Sequence, residues 1–215
     1  MELSRHIFEP LRRDDEFILY RGHSRLEEQT SLLLLAPVAT RPPIDTLKKI
    51  ENEYSLRGEL GGSWAVKPLN LSKYNGQTAL VLEDPGGEPL NRLMHGPMEL
   101  RRFLQLAVGL ATVLDLAHKQ GLIHKDLKPA NILMNSSTGQ VRLTGFGIAS
   151  RLPRERQNLK PPEVIAGTLA YMAPEQTGRM NRSIDSRSDL YALGVSLYSN
   201  GRRCNHCITP TSVVW

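Results

Sequence analysis

Apolar positions in the first third of the chain come in short runs separated by polar turns. "EFILYRG" (16–22) and "SLLLLAPV" (31–38) read as strands, the first closed by a glycine and the second followed by "RPP". Residues 43–58 read as a helix, with a rough stripe of Leu47, Ile50, Tyr54 and Leu56 and with Asp45 as candidate N-cap. "WAVKPLNLSKYNGQTALVLED" (64–84) predicts two strands joined at Asn75-Gly76, a strong hairpin pair. "PGG" (85–87) breaks the pattern and reads as a hinge. Beyond it the spacing turns helical. Leu100, Phe103, Leu104, Ala107, Leu110, Ala111, Leu114 and Ala117 recur at three and four, and Gly121 stops the helix. "LIHKDLKPANILM" (122–134) is a loop entering a strand, "STG" (137–139) turns it, and "QVRLTGFG" (140–147) returns as a second short strand. Residues 150–170 read as a polar loop, and "DLYALGVSLY" (189–198) begins another buried helix. The expected architecture is α+β in two parts: a small β-rich lobe over 1–84 and a helical lobe over 85–198.

Composition narrows the function classes only slightly. A chain of 215 residues with 40% hydrophobic positions is long enough to bury a core. A net charge of +5 leaves nucleic-acid or membrane contact open without demanding it. No dense Lys/Arg run occurs and aromatics are only 6%, so no nucleic-acid partner is expected. The charged N-terminus does not resemble a signal peptide, and Leu32–Ala36 is far too short to span a bilayer. Both cysteines fall within the last dozen residues, which fits a reducing cytoplasm and no membrane partner.

The chemistry is concentrated in His124-Lys125-Asp126-Leu127-Lys128-Pro129-Ala130-Asn131. Phosphoryl transfer needs a carboxylate to orient a hydroxyl, a cation at the γ-phosphate and an oxygen ligand for a metal. This stretch carries all three at the spacing of a catalytic loop. It resembles the eukaryotic-type serine/threonine protein kinases, including their bacterial members. Two further motifs follow in the family's order. "GTLAYMAPEQ" (167–176), with Thr168 and Glu175, resembles the end of the activation segment, and Asp189 resembles the buried aspartate that steadies the catalytic loop. The resemblance covers about residues 8–198 and implies a bilobal kinase-like fold with a truncated helical lobe. It implies Asp126 as catalytic base, Lys128 at the γ-phosphate and Asn131 at ATP and Mg²⁺. Glu83, at the hinge, is assigned to the nucleotide, and His124, Glu53, Thr168, Glu175 and Asp189 to structural roles. Asp126 is expected to share hydrogen bonds with Lys128 and Thr168.

The family pattern is broken where nucleotide should be held. Its metal-binding Asp-Phe-Gly reads Gly145-Phe146-Gly147, and glycine supplies neither ligand nor charge. The turn that should be glycine-rich reads Arg12-Arg13-Asp14-Asp15. Gly58, Gly61 and Gly62 follow the helix and read as a turn rather than a phosphate cradle. The strand lysine should stand near Leu35; none is present, and Arg41, Lys48 and Lys49 lie outside that strand. Glu53, the helix glutamate, is thereby left equally suited to a structural or a surface place. Pro85 stands where adenine would meet a backbone N–H, which proline lacks.

After Tyr198 the pattern ends, and 199–215 reads as an aberrant tail of the kind a one-base shift would leave. Cys204, His206 and Cys207 supply at most half a zinc site. Eroded kinase-like domains of this sort resemble the N-terminal modules of large bacterial signalling chains with ATPase, sensor and histidine kinase regions. The expected function is a regulatory or binding module with impaired ATP-dependent transfer, its partner a later domain or a protein substrate. The alternative is a weakly active kinase holding one metal through Asn131 and water.

Overall fold

The computed structural model describes residues 3–24, 31–94, 98–151, 166–178 and 183–201. Five antiparallel strands form the first sheet: β1 (His6–Arg13), β2 (Phe17–Ser24), β3 (Ser31–Pro37), β4 (Pro68–Tyr74) and β5 (Gln77–Glu83), in the order β1-β2-β3-β5-β4. The run on β3, the central strand, is buried on both faces because a separate apolar cluster covers each. Leu33 and Leu35 pack inward with Ile50 of helix α1 (Ile44–Ser55), while Leu32, Leu34 and Ala36 pack outward beneath Phe8, Tyr20 and Tyr74. Asn75 and Gly76 have φ of 50° and 79°, the left-handed pair that a two-residue hairpin requires. The helix expected at 43–58 is shorter, and Asp45 does not cap it. Pro43 holds the N-cap position without a side-chain bond, and Asp45 instead pairs with Lys48 on the exposed face.

The Pro-Gly-Gly break at 85–87 follows the end of β5 at Glu83. Arg21 of β2 fixes it, donating from Nε to Asp84 (2.8 Å) and from Nη2 to the Gly87 carbonyl (2.5 Å) and pairing with Glu88 (3.0 Å). Short strand β6 (Glu88–Pro89) and short helix α2 (Leu90–Leu93) lead to the long helix α3 (Leu100–Lys119), whose Leu106, Leu110, Val113, Leu114 and Ala117 face the core. Then come β7 (Leu122–Ile123), β8 (Ile132–Met134), β9 (Val141–Leu143), β10 (Ser150–Arg151) and helix α4 (Ser186–Gly201). β6, β8 and β9 form one small sheet, and β7 and β10 another. The two-lobed α+β arrangement expected from the sequence is therefore present. Most of the loop expected at 150–170 lies outside the described residues, as does 202–215 with Cys204, His206 and Cys207.

The apolar core crosses from one lobe to the other. Leu133 of β8 belongs to the cluster of Leu11, Phe17, Leu19, Leu80 and Leu82 from the five-stranded sheet. Trp64–Val66, expected within a strand, instead bonds to the edge of β9: Val66 N–H to the Leu143 carbonyl (2.8 Å) and Leu143 N–H to that of Trp64 (2.9 Å). Among the described residues no helix is long and apolar enough to cross a membrane.

Candidate functional site

A cleft of about 470 Å³ opens between the β1–β2 turn, α1 and the loop around Asp126. The loop's shape starts at Asp189. Buried at the start of α4, this carboxylate accepts the backbone N–H of His124 (2.9 Å) and of Lys125 (2.8 Å) and bonds to the His118 ring (3.0 Å). Lys125 is thereby held at φ +67°, a left-handed conformation that a lysine adopts only under such constraint. Gln176 secures it from the other side, donating to the Lys125 carbonyl at 2.7 Å. Burial lowers the Lys125 pKa, and the Asp189 charge opposes that shift.

His124 sits fully buried against Phe146, ring centroids 4.5 Å apart. Its Nε2 meets the Thr144 carbonyl at 3.1 Å, and its Nδ1 meets the Asp126 N–H at 3.2 Å. A carbonyl only accepts and an N–H only donates, so the two contacts select the neutral tautomer carrying its proton on Nε2. Burial lowers the His124 pKa, outweighing the charges of Asp189 and Asp126. Neutral His124 thus orients the backbone of Asp126.

The Asp126 carboxylate is shared as the sequence predicts. Thr168 donates its hydroxyl to Oδ1 (2.9 Å), Lys128 pairs with Oδ2 (3.0 Å), and Lys128 also donates to Thr168 (2.8 Å). Asn131 donates from Nδ2 to the Asp126 carbonyl (2.8 Å) and to Oδ2 (3.1 Å). Its own Oδ1 is buried without a hydrogen-bond partner. Glu175, buried behind the loop, accepts the Ser188 hydroxyl at 2.7 Å.

Gly145 faces Asn131. At φ +83° it takes a conformation that side chains rarely adopt, and a Cβ there would lie 2.8 Å from the Asn131 amide. The Gly145 N–H donates to Glu53 at 3.2 Å. Glu53 is 1% exposed, which corrects the surface option. Burial raises its pKa, opposed by backbone hydrogen bonds and by the charge of Arg12. So Glu53 does have a cationic neighbour, supplied by β1 rather than β3. Leu35, where the strand lysine is expected, is a buried apolar wall of the cleft.

Three contributions escaped the sequence reading. A bulge between Pro10 and Arg12 breaks the alternation of β1 and turns both Leu11 and Arg12 inward. Asn52 of α1 points its amide at the carbonyls of Phe146, Gly147 and Ala149 (3.1–3.3 Å), tying the helix to the loop after Gly145. Lys49, outside the third strand as read, nevertheless lines the cleft from α1 and pairs with Glu16. Glu83 is not brought to the others. It ends β5, its N–H goes to the Lys67 carbonyl (2.9 Å), and neither it nor Pro85 lines the cleft.

The described wall of the cleft carries both signs of charge. Among the described residues, Arg12, Lys49 and Lys128 are the cations lining the cleft, with Asp14, Asp15, Glu16, Glu53 and Asp126. Asn131 offers one neutral oxygen, and Gly145 offers no side chain. Among the described residues no group of three or more His, Cys, Asp or Glu could hold a metal ion.

Residues 38–206 match the protein kinase domain family. Serine/threonine-protein kinase PknA of Mycobacterium tuberculosis is 39% identical over 149 residues, 66% of this chain and 33% of that protein. Serine/threonine-protein kinase PknB of the same organism is 36% identical over 121 residues, 55% of this chain and 19% of that protein. A probable serine/threonine-protein kinase of Streptomyces coelicolor is 34% identical over 121 residues, 55% of this chain and 18% of that protein. The matched stretches therefore span a third or less of each relative's length.

Proposed function

The chain belongs to the protein kinase family, and from that premise we propose that it is a serine/threonine kinase-like signalling domain with weakened or lost nucleotide handling, acting as a regulatory binding module. The observation that carries this reading is Gly145 against Asn131. Phosphoryl transfer relies on neutralising charge at the β- and γ-phosphates, a role that in this family falls largely to metal held by carboxylate. At position 145 no carboxylate is available, and the packing leaves no room for one unless Asn131 moves. The surplus of carboxylates among the described residues of the cleft wall adds to the reading, since it repels a polyanion. The partner in this proposal is a later domain of a longer signalling chain or a protein substrate.

The Asp126–Thr168–Lys128 triangle favours a second reading, a weakly active ATP-dependent serine/threonine kinase. There Asp126 would accept the proton of the attacking hydroxyl, with Lys128 beside the transferred group. Phosphate incorporation from labelled ATP, into the chain or into a basic protein substrate, separates the two. The proposal expects the parent chain to incorporate no more than Asp126→Asn. Incorporation by the parent that disappears in Asp126→Asn replaces the first reading with the second.

A further inference from the structure

The turn between β1 and β2 carries Asp14, Asp15 and Glu16, all of which line the cleft. The two oxygens of Asp14 do separate work. Oδ1 shapes the turn, accepting the N–H of Glu16 (3.0 Å) and of Phe17 (2.7 Å). Oδ2 faces the cations, 3.0 Å from Arg12 Nη1 and 3.9 Å from Lys128 Nζ. A turn needs only the first oxygen, and serine or asparagine would serve it.

Arg12 is an unusual place to find a charge. Its side chain is 5% exposed, and its Nε is buried with no hydrogen-bond partner. A guanidinium presents a fork of donors suited to two oxygens at once, and the single oxygen of Asp14 at Nη1 leaves that fork half filled. The second cation, Lys128, is shared among Asp126, Thr168 and Asp14. The third, Lys49, is taken by Glu16 of the same turn. Each of these three cations is thus answered by a carboxylate of the turn.

We infer that Arg12 and Lys128 form an anion site for phosphate groups, and that Asp14 occupies it from within the chain as a built-in competitor. The ligand class is a phosphate-bearing anion with at least two oxygens to offer. The turn then excludes phosphate by contact as well as by charge. This deepens the proposed impairment of nucleotide handling and rests on that reading, but it has its own test.

Asp14→Asn separates the two jobs, because its amide oxygen keeps the turn bonds while its NH₂ replaces the oxygen facing the cations. The full chain, Asp14→Asn and Asp14→Asn/Arg12→Gln are titrated with metal-free inorganic pyrophosphate at low salt by calorimetry. Removing one opposing charge at such range predicts pyrophosphate binding at least ~10-fold tighter in Asp14→Asn than in the parent. The gain disappears in the double variant. ATP without metal gains by a similar factor, because Arg12 and Lys128 meet phosphate alone. Asp14→Ser, whose hydroxyl also supports the turn, carries the same expectations if Asp14→Asn does not fold. No gain, a gain that survives Arg12→Gln, or a gain for ATP with none for pyrophosphate overturns the inference. Tight Mg-ATP binding by the parent instead contradicts the functional reading above, and the two failures are distinguishable.

Discussion

The Glu53 carboxylate accepts the backbone N–H of Gly145 at 3.2 Å, so the helix acid meets the loop at the residue where the loop acid is missing. Burial raises the Glu53 pKa above its ordinary 4.5, more than Arg12 and the backbone hydrogen bonds lower it. A raised pKa means that the folded chain holds the proton more tightly than the unfolded one. The associated stability is present in full below about pH 4.5 and is lost as pH rises through the folded value. Glu53→Gln keeps an acceptor for Gly145 but cannot ionise. Thermal melting of both chains from acid to neutral pH is expected to show the variant gaining on the parent as pH rises; parallel curves would contradict the burial argument.

His124 works in the opposite sense. Its pKa lies below the ordinary 6.5, so the folded chain binds this proton less well than the unfolded chain. Stability from neutral His124 is present above pH 6.5 and declines as pH falls below it toward the folded pKa. Protonation of Nδ1 would also break its bond with the Asp126 N–H. His124→Gln removes this titration, so its melting temperature should fall less than the parent's between pH 7 and acid. An equal fall in both chains rules out His124 as the source.

Gly145→Asp restores the family's carboxylate in sequence but not directly in structure. The new Cβ meets the Asn131 amide at 2.8 Å, and φ +83° strains any side chain. Left-handed strain together with lost Asn131 hydrogen bonds gives a destabilisation of about 2 kcal/mol. Asn131→Ala should relieve part of it, so the two substitutions are non-additive in a denaturation cycle. If Asn131 moves aside, Gly145→Asp also makes ATP binding more dependent on Mg²⁺. Additive losses in the cycle would show that the two side chains do not compete for space.

Asp126 also has a structural side that can be measured without activity. Replacing it with Asn keeps the acceptor for Thr168 or Lys128 but not both, and removes the charge opposite Lys128. A loss of about 1 kcal/mol is expected from urea unfolding. A much larger loss would mean that the triangle holds the lobe together rather than shaping one loop.

The sequence made some of this legible because local patterns met no tertiary competition. Asn75-Gly76 turns as that pair must, and Leu110, Leu114 and Ala117 of the α3 stripe face the core, whereas Leu100 and Leu104 of the same stripe are exposed. Asp189 and Thr168 reach the loop around Asp126 because motif order encodes their long-range contacts. Arg12 was read as part of the turn, but it and Arg13 lie within β1. Strict alternation there would send Arg12 and Leu11 to opposite faces, and only the bulge brings both inward. Glu53 was undecided because its neighbours are a backbone N–H and a cation on another strand, neither visible from helix spacing. Asn52 gave no signal, since an amide on a helix is ordinarily solvated.

The central claim is that this cleft no longer holds a metal–nucleotide complex. Equilibrium titration of the full chain with ATP, with and without Mg²⁺, tests it most directly. Given Gly145 and the acidic turn, the dissociation constant is expected above about 1 mM in both conditions, with no strengthening by metal. Micromolar binding that requires Mg²⁺ and is lost in Asn131→Ala would contradict the account.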